Sequence, residues 1–215
     1  MQKNSKALTA RGREIVALLR REYPEAECTL SYVEPWQLLF ATRLAAQCTD
    51  ARVNQVTPGL YARFPSVEAL AEASEEEVAE LIRSCGLFRS KAAQIIAGAR
   101  VLRDRFGSQV PREMSELLSI PGVGRKTANL IRGDVFGLPA VVADTHCIRL
   151  SGRLGLTASK DPGVVERDLA ALIDPAEQNG LCHRFVMHGR AVCDARCPDC
   201  KNCCLSGLCP SAKGE

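Results

Sequence analysis

The sequence predicts an all-α protein. Three observations carry that expectation. Apolar residues recur at helical spacing along most of the 215 residues, and Ser, Asp, Gly and Pro fall where helices should begin or end. Only Ala140-Val141-Val142-Ala143 resembles a strand, and it is too short to pair.

Taken in order, Leu8 to Arg21 sets Ile15, Leu18 and Leu19 on one face and stops near Pro24. Trp36 to Ala46 is largely apolar, a buried helix running into Gln47-Cys48-Thr49-Asp50. Asp50 is placed to cap a third helix through Val53 and Val56, which Pro58-Gly59 should end. Ser66 opens a short helix, and Ser74 with Glu77 forms a capping box for another through Leu81 and Ile82. After Gly86-Leu87 a helix spans about Ser90 to Phe106 and ends at Gly107. Pro111 starts the next, with Leu117, Leu118 and Ile120. Pro121-Gly122-Val123-Gly124 interrupts the pattern before Arg125 to Arg132 resumes it. Val164 to Ile173 and Leu181 to Arg190 complete the set.

With 46% hydrophobic and 25% charged residues, the composition is that of an ordinary globular protein, long enough to bury a core without disulfide staples. No stretch approaches the roughly 18 apolar residues of a membrane span. No apolar run follows the basic start, so the reading is of a cytoplasmic protein. Net charge is a modest +3, but it is uneven. Lys3, Lys6, Arg11, Arg13, Arg20 and Arg21 crowd the N-terminal stretch, whereas Glu72, Glu75, Glu76, Glu77 and Glu80 form an acidic, solvated face. Eleven cysteines in a reducing compartment argue for metal or cluster ligation, and six of them lie within the last 23 residues.

Two helices joined by Pro-Gly-Val-Gly make a tight helix–hairpin–helix. Its glycines permit positive φ and let another backbone come close, and amide N–H groups at such a turn form a nest for an anion. A DNA phosphate suits Gly122, Val123, Gly124 and Arg125, a contact that positions the duplex without reading sequence. Taken alone, the motif also has a lesser reading as a plain interhelical turn. Lys126 follows at the start of the second helix. As a nucleophile it needs its neutral amine, favoured by the helix N-terminus and by Arg125; otherwise it is a solvated charge or a phosphate contact. Asp144, after the apolar Ala140–Ala143, reads as a helix N-cap whose carboxylate can also face a sugar gaining positive charge.

Several stretches together closely resemble the endonuclease III family of DNA glycosylases: Leu44 to Asp50, Gly86-Leu87, Ile120 to Asn129, Val142 to His146 and His188-Gly189-Arg190, with the terminal cysteines. They span nearly the whole chain in family order. The resemblance implies two helical domains flanking a DNA-binding cleft. One is a six-helix barrel with the helix–hairpin–helix at 28–138; the other is an iron–sulfur cluster domain of 1–27 and 139–215. It implies that Lys126 attacks the sugar C1′ and Asp144 stabilises the cationic sugar. The resulting Schiff base then permits β-elimination 3′ to the lost base. Gln47 resembles the residue that fills the space of the flipped nucleotide and Leu87 the apolar wedge beside it. By residue type His146 is a general acid–base candidate expected to pack or hydrogen-bond, and of the two histidines, His146 and His188, it is the better candidate for the DNA-binding cleft.

Cys193, Cys200, Cys203 and Cys209 follow C-x6-C-x2-C-x5-C. Spacing alone leaves zinc and a [4Fe–4S] cluster equally open; the resemblance implies the cluster, with Cys197 and Cys204 outside the family pattern. Cys28, Cys85 and Cys182 are expected as small buried hydrophobes, as in the bland reading of Cys48 and Cys147. Held by the cluster loop, Arg184, Arg190, Arg196 and Lys201 would meet phosphates, while His188 packs or hydrogen-bonds. The expected function is base-excision repair by a monomeric glycosylase and AP lyase acting on oxidised pyrimidines in duplex DNA. The competing readings are a monofunctional adenine-mismatch glycosylase and a non-catalytic DNA-binding or iron–sulfur module. Leu38 to Gln47 contains no carboxylate, which counts against the mismatch enzyme.

Overall fold

The computed structural model describes residues 2–212, with side chains from Lys6 onward; the side chain of Lys3 lies outside them. Among the described residues there are α-helices, three short 3-10 turns and no strand. The chain divides into two compact units: Cys28–Phe136, and Met1–Glu27 together with Gly137–Glu215.

The Cys28–Phe136 unit holds α2 (Pro35–Leu44), α3 (Asp50–Arg63), α4 (Val67–Ala71), α5 (Glu75–Leu81), α6 (Phe88–Phe106), α7 (Met114–Leu118) and α8 (Arg125–Asp134). Helix α6 packs against α2, α4 and α5, and sets Ile95, Ile96, Ala99 and Leu102 into a core shared with Leu38, Leu39, Leu60, Leu70 and Ile131. Each fully buried aliphatic side chain stabilises the unit by about 1.5–3 kcal/mol.

Four sequence expectations change here. Helix α3 does not stop at Pro58 but runs on to Arg63. The lost N–H of Pro58 is outweighed by the last turn, where Leu60 is buried and the Tyr61 hydroxyl donates to Gln37 O at 2.7 Å. Thr49, not Asp50, caps this helix by accepting from Arg52 N at 3.3 Å, while Asp50 accepts from the Thr29 hydroxyl. Ser74 caps α5 as expected, yet Glu77 turns to Arg63 at 2.6 Å instead of closing a box. Helix α7 starts at Met114 because Glu113 is still extended, so Pro111 lies buried ahead of it.

The second unit holds α1 (Gln2–Glu22), α9 (Thr145–Arg153), α10 (Pro162–Leu172) and α11 (Gln178–Ala191). Helices α1 and α9 each pack against α10 and α11, burying Ile15, Leu19, Leu150, Leu169 and Phe185. Beyond α11 the chain forms a loop with one 3-10 turn, Ser206–Leu208. Arg153 straps this loop by donating to Asp194 O at 2.7 Å and Ala195 O at 2.8 Å. No described helix is long and apolar enough to cross a membrane.

Candidate active site

The loop between α7 and α8 is closed by Val123 N donating to Ile120 O at 3.1 Å. Its two glycines do different work. Gly122 has φ +81, and a Cβ there would lie 3.1 Å from both Arg43 Cδ and Gln94 Oε1, two side chains that bond to each other beneath the turn. Gly124 has an ordinary φ of −98 and caps α8; a Cβ there would meet nothing of this chain within 4 Å. Its bare Cα therefore leaves room for something outside the chain, next to first-turn amides that lack helical acceptors. Arg125 and Lys126 are exposed on the first turn of α8.

Gln47 and Leu87 share a backbone oddity. Both are in the left-handed region, at φ 56 and φ 48, where a side-chain-bearing residue costs about 1–2 kcal/mol. Both are exposed, and Leu87, 62% exposed, is an apolar tip in solvent. Lys91 lies behind them, fully buried, with Nζ donating to Leu44 O at 2.8 Å and Cys85 O at 2.5 Å. Sequence reasoning missed this residue, although its register on the Ile95, Ala99 and Leu102 stripe was the available signal. Burial pushes the Lys91 ammonium below its ordinary pKa, which the nearby Cys48 and Cys85 sulfurs partly oppose. The Cys85 thiol bonds to that of Cys48 and is pushed up to about 11, first by burial.

In the other unit Asp144 caps α9: Oδ1 accepts from Cys147 N at 2.7 Å. The residue is half-buried, and its second oxygen has no hydrogen-bond partner among the described residues. His146 Nδ1 lies 3.1 Å from Arg149 Nη2. Both pack on α11 at Gly189, where a Cβ would fall 2.5 Å from His146 Nδ1 and 2.7 Å from Arg149 Nη2. That contact explains the glycine in His188-Gly189-Arg190.

Cys193, Cys200, Cys203 and Cys209 line one small cavity with Arg153; Cys197 and Cys204 do not. Several donors address the sulfurs. Arg153 Nη1 reaches Cys193 Sγ at 3.2 Å, Leu205 N reaches Cys203 Sγ at 3.4 Å, and His188 Nε2 lies 3.3 Å from Cys203 Sγ. His188 is buried, and its Nδ1 meets the Tyr23 hydroxyl at 3.1 Å. Burial raises the Cys203 thiol pKa, as do the neighbouring Cys193, Cys209 and Cys200. Among the described residues no three His, Cys, Asp or Glu side chains converge as a single ion would need. Four thiols ringing one cavity fit a cluster, in which each sulfur takes its own iron.

Arg184 is corrected. It is buried, donates to Tyr23 O at 3.3 Å and faces Glu177 at 3.8 Å, so it braces α11 and does not meet a phosphate. Arg20 also spends its charge on Glu177. Arg190, Arg196 and Lys201 are exposed.

Residues 40–175 match the family described as HhH-GPD superfamily base excision DNA repair protein. Endonuclease III of Synechocystis is 50% identical over 206 residues, covering 95% of this chain and 94% of that protein. A solved structure of a trapped endonuclease III–DNA covalent intermediate, an estranged-adenine complex, superposes with a TM-score of 0.89 at 38% identity, covering 95% of this chain and 96% of that one. A thermostable thymine-DNA glycosylase shares the fold, with a TM-score of 0.80 at 22% identity and 98% and 97% coverage.

Proposed function

The chain belongs to the endonuclease III family of the HhH-GPD superfamily, and from that premise we propose which of its residues perform the reaction. It is a base-excision repair enzyme, a DNA glycosylase and AP lyase. The observation that carries the assignment of Lys126 is its exposed amine on the first turn of α8, directly after the open Gly124. A backbone phosphate seated on the hairpin amides would hold the strand beside that amine.

Lys126 Nζ attacks C1′ of the damaged nucleotide. The C–N bond to the base breaks, and the base leaves with a proton. As positive charge grows on the sugar, the Asp144 oxygen left over from capping stabilises it. The nitrogen has given one proton to the departing base and keeps the other; as C1′–O4′ breaks, O4′ takes a proton from solvent and an iminium forms at C1′. That iminium acidifies C2′–H; loss of this proton expels the 3′ phosphate, and water then releases Lys126. Gln47 and Leu87 enter the space left by the extruded nucleotide. Oxidised pyrimidines in duplex DNA are the substrate class, and the enzyme acts as a monomer.

Cys193, Cys200, Cys203 and Cys209 would hold a [4Fe–4S] cluster, which, when bound, cross-links the loop through four iron–thiolate bonds. His188 and Arg153 orient Cys203 and Cys193 for it.

Borohydride reduction during turnover tests the nucleophile. The enzyme should form a covalent adduct with a lesion-bearing duplex, and Lys126→Gln should bind that duplex without forming one. An adduct that survives in Lys126→Gln would overturn the assignment. A non-catalytic binding module would leave an abasic-site duplex intact.

A further inference from the structure

Lys91 sits one turn into α6, 1% exposed, among the core residues Ala92, Ile95 and Ile96. A buried ammonium has lost its hydration, and only close partners offset that. Its bonding partners are not carboxylates but two backbone oxygens, of Leu44 at 2.8 Å and Cys85 at 2.5 Å. Leu44 ends α2, three residues before Gln47; Cys85 ends the Arg83–Cys85 turn, two residues before Leu87. The Lys91 backbone N–H also donates to Leu87 O at 3.0 Å. One residue thus grips the stem of one loop, and both stem and tip of the other.

Packing does not require a charge here. A methionine of similar length would fill the same space, and apolar replacements for buried charges are often neutral or stabilising. What the ammonium adds is direction. Charge-assisted hydrogen bonds are stronger and more geometrically selective than apolar contact, and the Leu44 carbonyl stands at the negative end of the α2 dipole. Both tips it serves are already in the left-handed conformation. Their strain is therefore met within the folded core and not at the moment of DNA binding.

We propose that Lys91 is a positioning residue for base extrusion, tying the Gln47 and Leu87 loops into one preformed wedge. This deepens the reading of Gln47 and Leu87 given above and rests on it. A duplex carrying a non-cleavable tetrahydrofuran abasic analogue opposite 2-aminopurine tests it, because fluorescence rises when the probe base unstacks. Gln47→Ala and Leu87→Ala should each lower the rise. Lys91→Met should slow it on the order of tenfold to a hundredfold, with affinity for undamaged duplex unchanged. Combined with Gln47→Ala it should cost less than the product of the two single effects, since both act through one wedge. Lys91→Gln, which keeps two N–H donors, should recover part of the loss.

An unchanged rise in Lys91→Met would overturn the proposal, and so would fully multiplicative effects. Loss of the fold in both Lys91 variants would overturn it too, since the charge would then be holding the core. If Gln47→Ala and Leu87→Ala change nothing, the wedge assignment itself fails, whatever Lys91 does.

Discussion

Asp144 divides its work between two oxygens. Oδ1 takes the Cys147 amide and starts α9, while in the proposed mechanism the other faces the developing charge. The two roles separate by substitution. Asp144→Asn keeps an acceptor for the cap but loses the charge, so base release should slow by about a hundredfold while Tm holds. Asp144→Ala loses the cap as well, and should lower stability by a further ~1 kcal/mol. Thermal melts beside single-turnover base release would read both, and a large Tm drop in Asp144→Asn would contradict the division. The cap position of Asp144 and the helix-start position of Lys126 were legible in the sequence because each follows a local signal, an apolar run before a cap and a glycine turn before a helix. Lys91 and Arg184 were not, because residue type suggested solvent. Their burial depends on partners far along the chain: the carbonyls of Leu44 and Tyr23.

At the scale of the element, the hairpin and the Gln47 and Leu87 loops join unusual backbone to the proposed DNA contacts. The two hairpin glycines should respond in opposite ways to the same methyl group. Gly122→Ala forces φ +81 on an alanine and presses on Arg43, and should destabilise by about 1–3 kcal/mol. Gly124→Ala meets no atom of the chain and has an ordinary φ, so its Tm should stay level while duplex affinity falls as the methyl meets the phosphate. Paired melts and binding titrations decide this; a Gly124→Ala with full affinity would remove the phosphate from that site. Helices were legible wherever the apolar period and a cap agreed, as at Ser66 and Gly107. They were misread where tertiary contact overruled local chemistry. Pro58 reads as a stop, yet Leu60 and Tyr61 packing carries α3 past it. The left-handed backbone of Gln47 and Leu87 carried no sequence signal, since neither is a residue that favours it.

At the scale of the whole molecule, the two units differ in what holds them together. Cys28–Phe136 closes around a continuous apolar core drawn from α2 to α8. The other unit has its own helical core, but its last stretch does not. Among residues 193–212 only Leu205 is buried, too little apolar surface to order such a loop. Its order must come from cross-links: the Arg153 bonds to the loop carbonyls, the Arg11 bond to Leu208 O at 2.7 Å, and the four cysteines around their cavity. Metal binding to such a loop is folding free energy, so if the four cysteines hold the proposed cluster, removing it should unfold the loop and spare the core it does not serve. Cys193→Ser, Cys200→Ser, Cys203→Ser and Cys209→Ser should each lose bound iron and the visible absorbance. Cys197→Ser and Cys204→Ser should keep both, since neither side chain lines the cavity. Hydrogen exchange after chelation should rise first in 193–212 and then in the α9 and α11 segments it touches through Arg153 and His188, with amides of Cys28–Phe136 still protected. Iron loss in Cys197→Ser or Cys204→Ser would break the assigned ligand set. Equal deprotection of Cys28–Phe136 would show instead that the cluster holds the entire chain and not one loop.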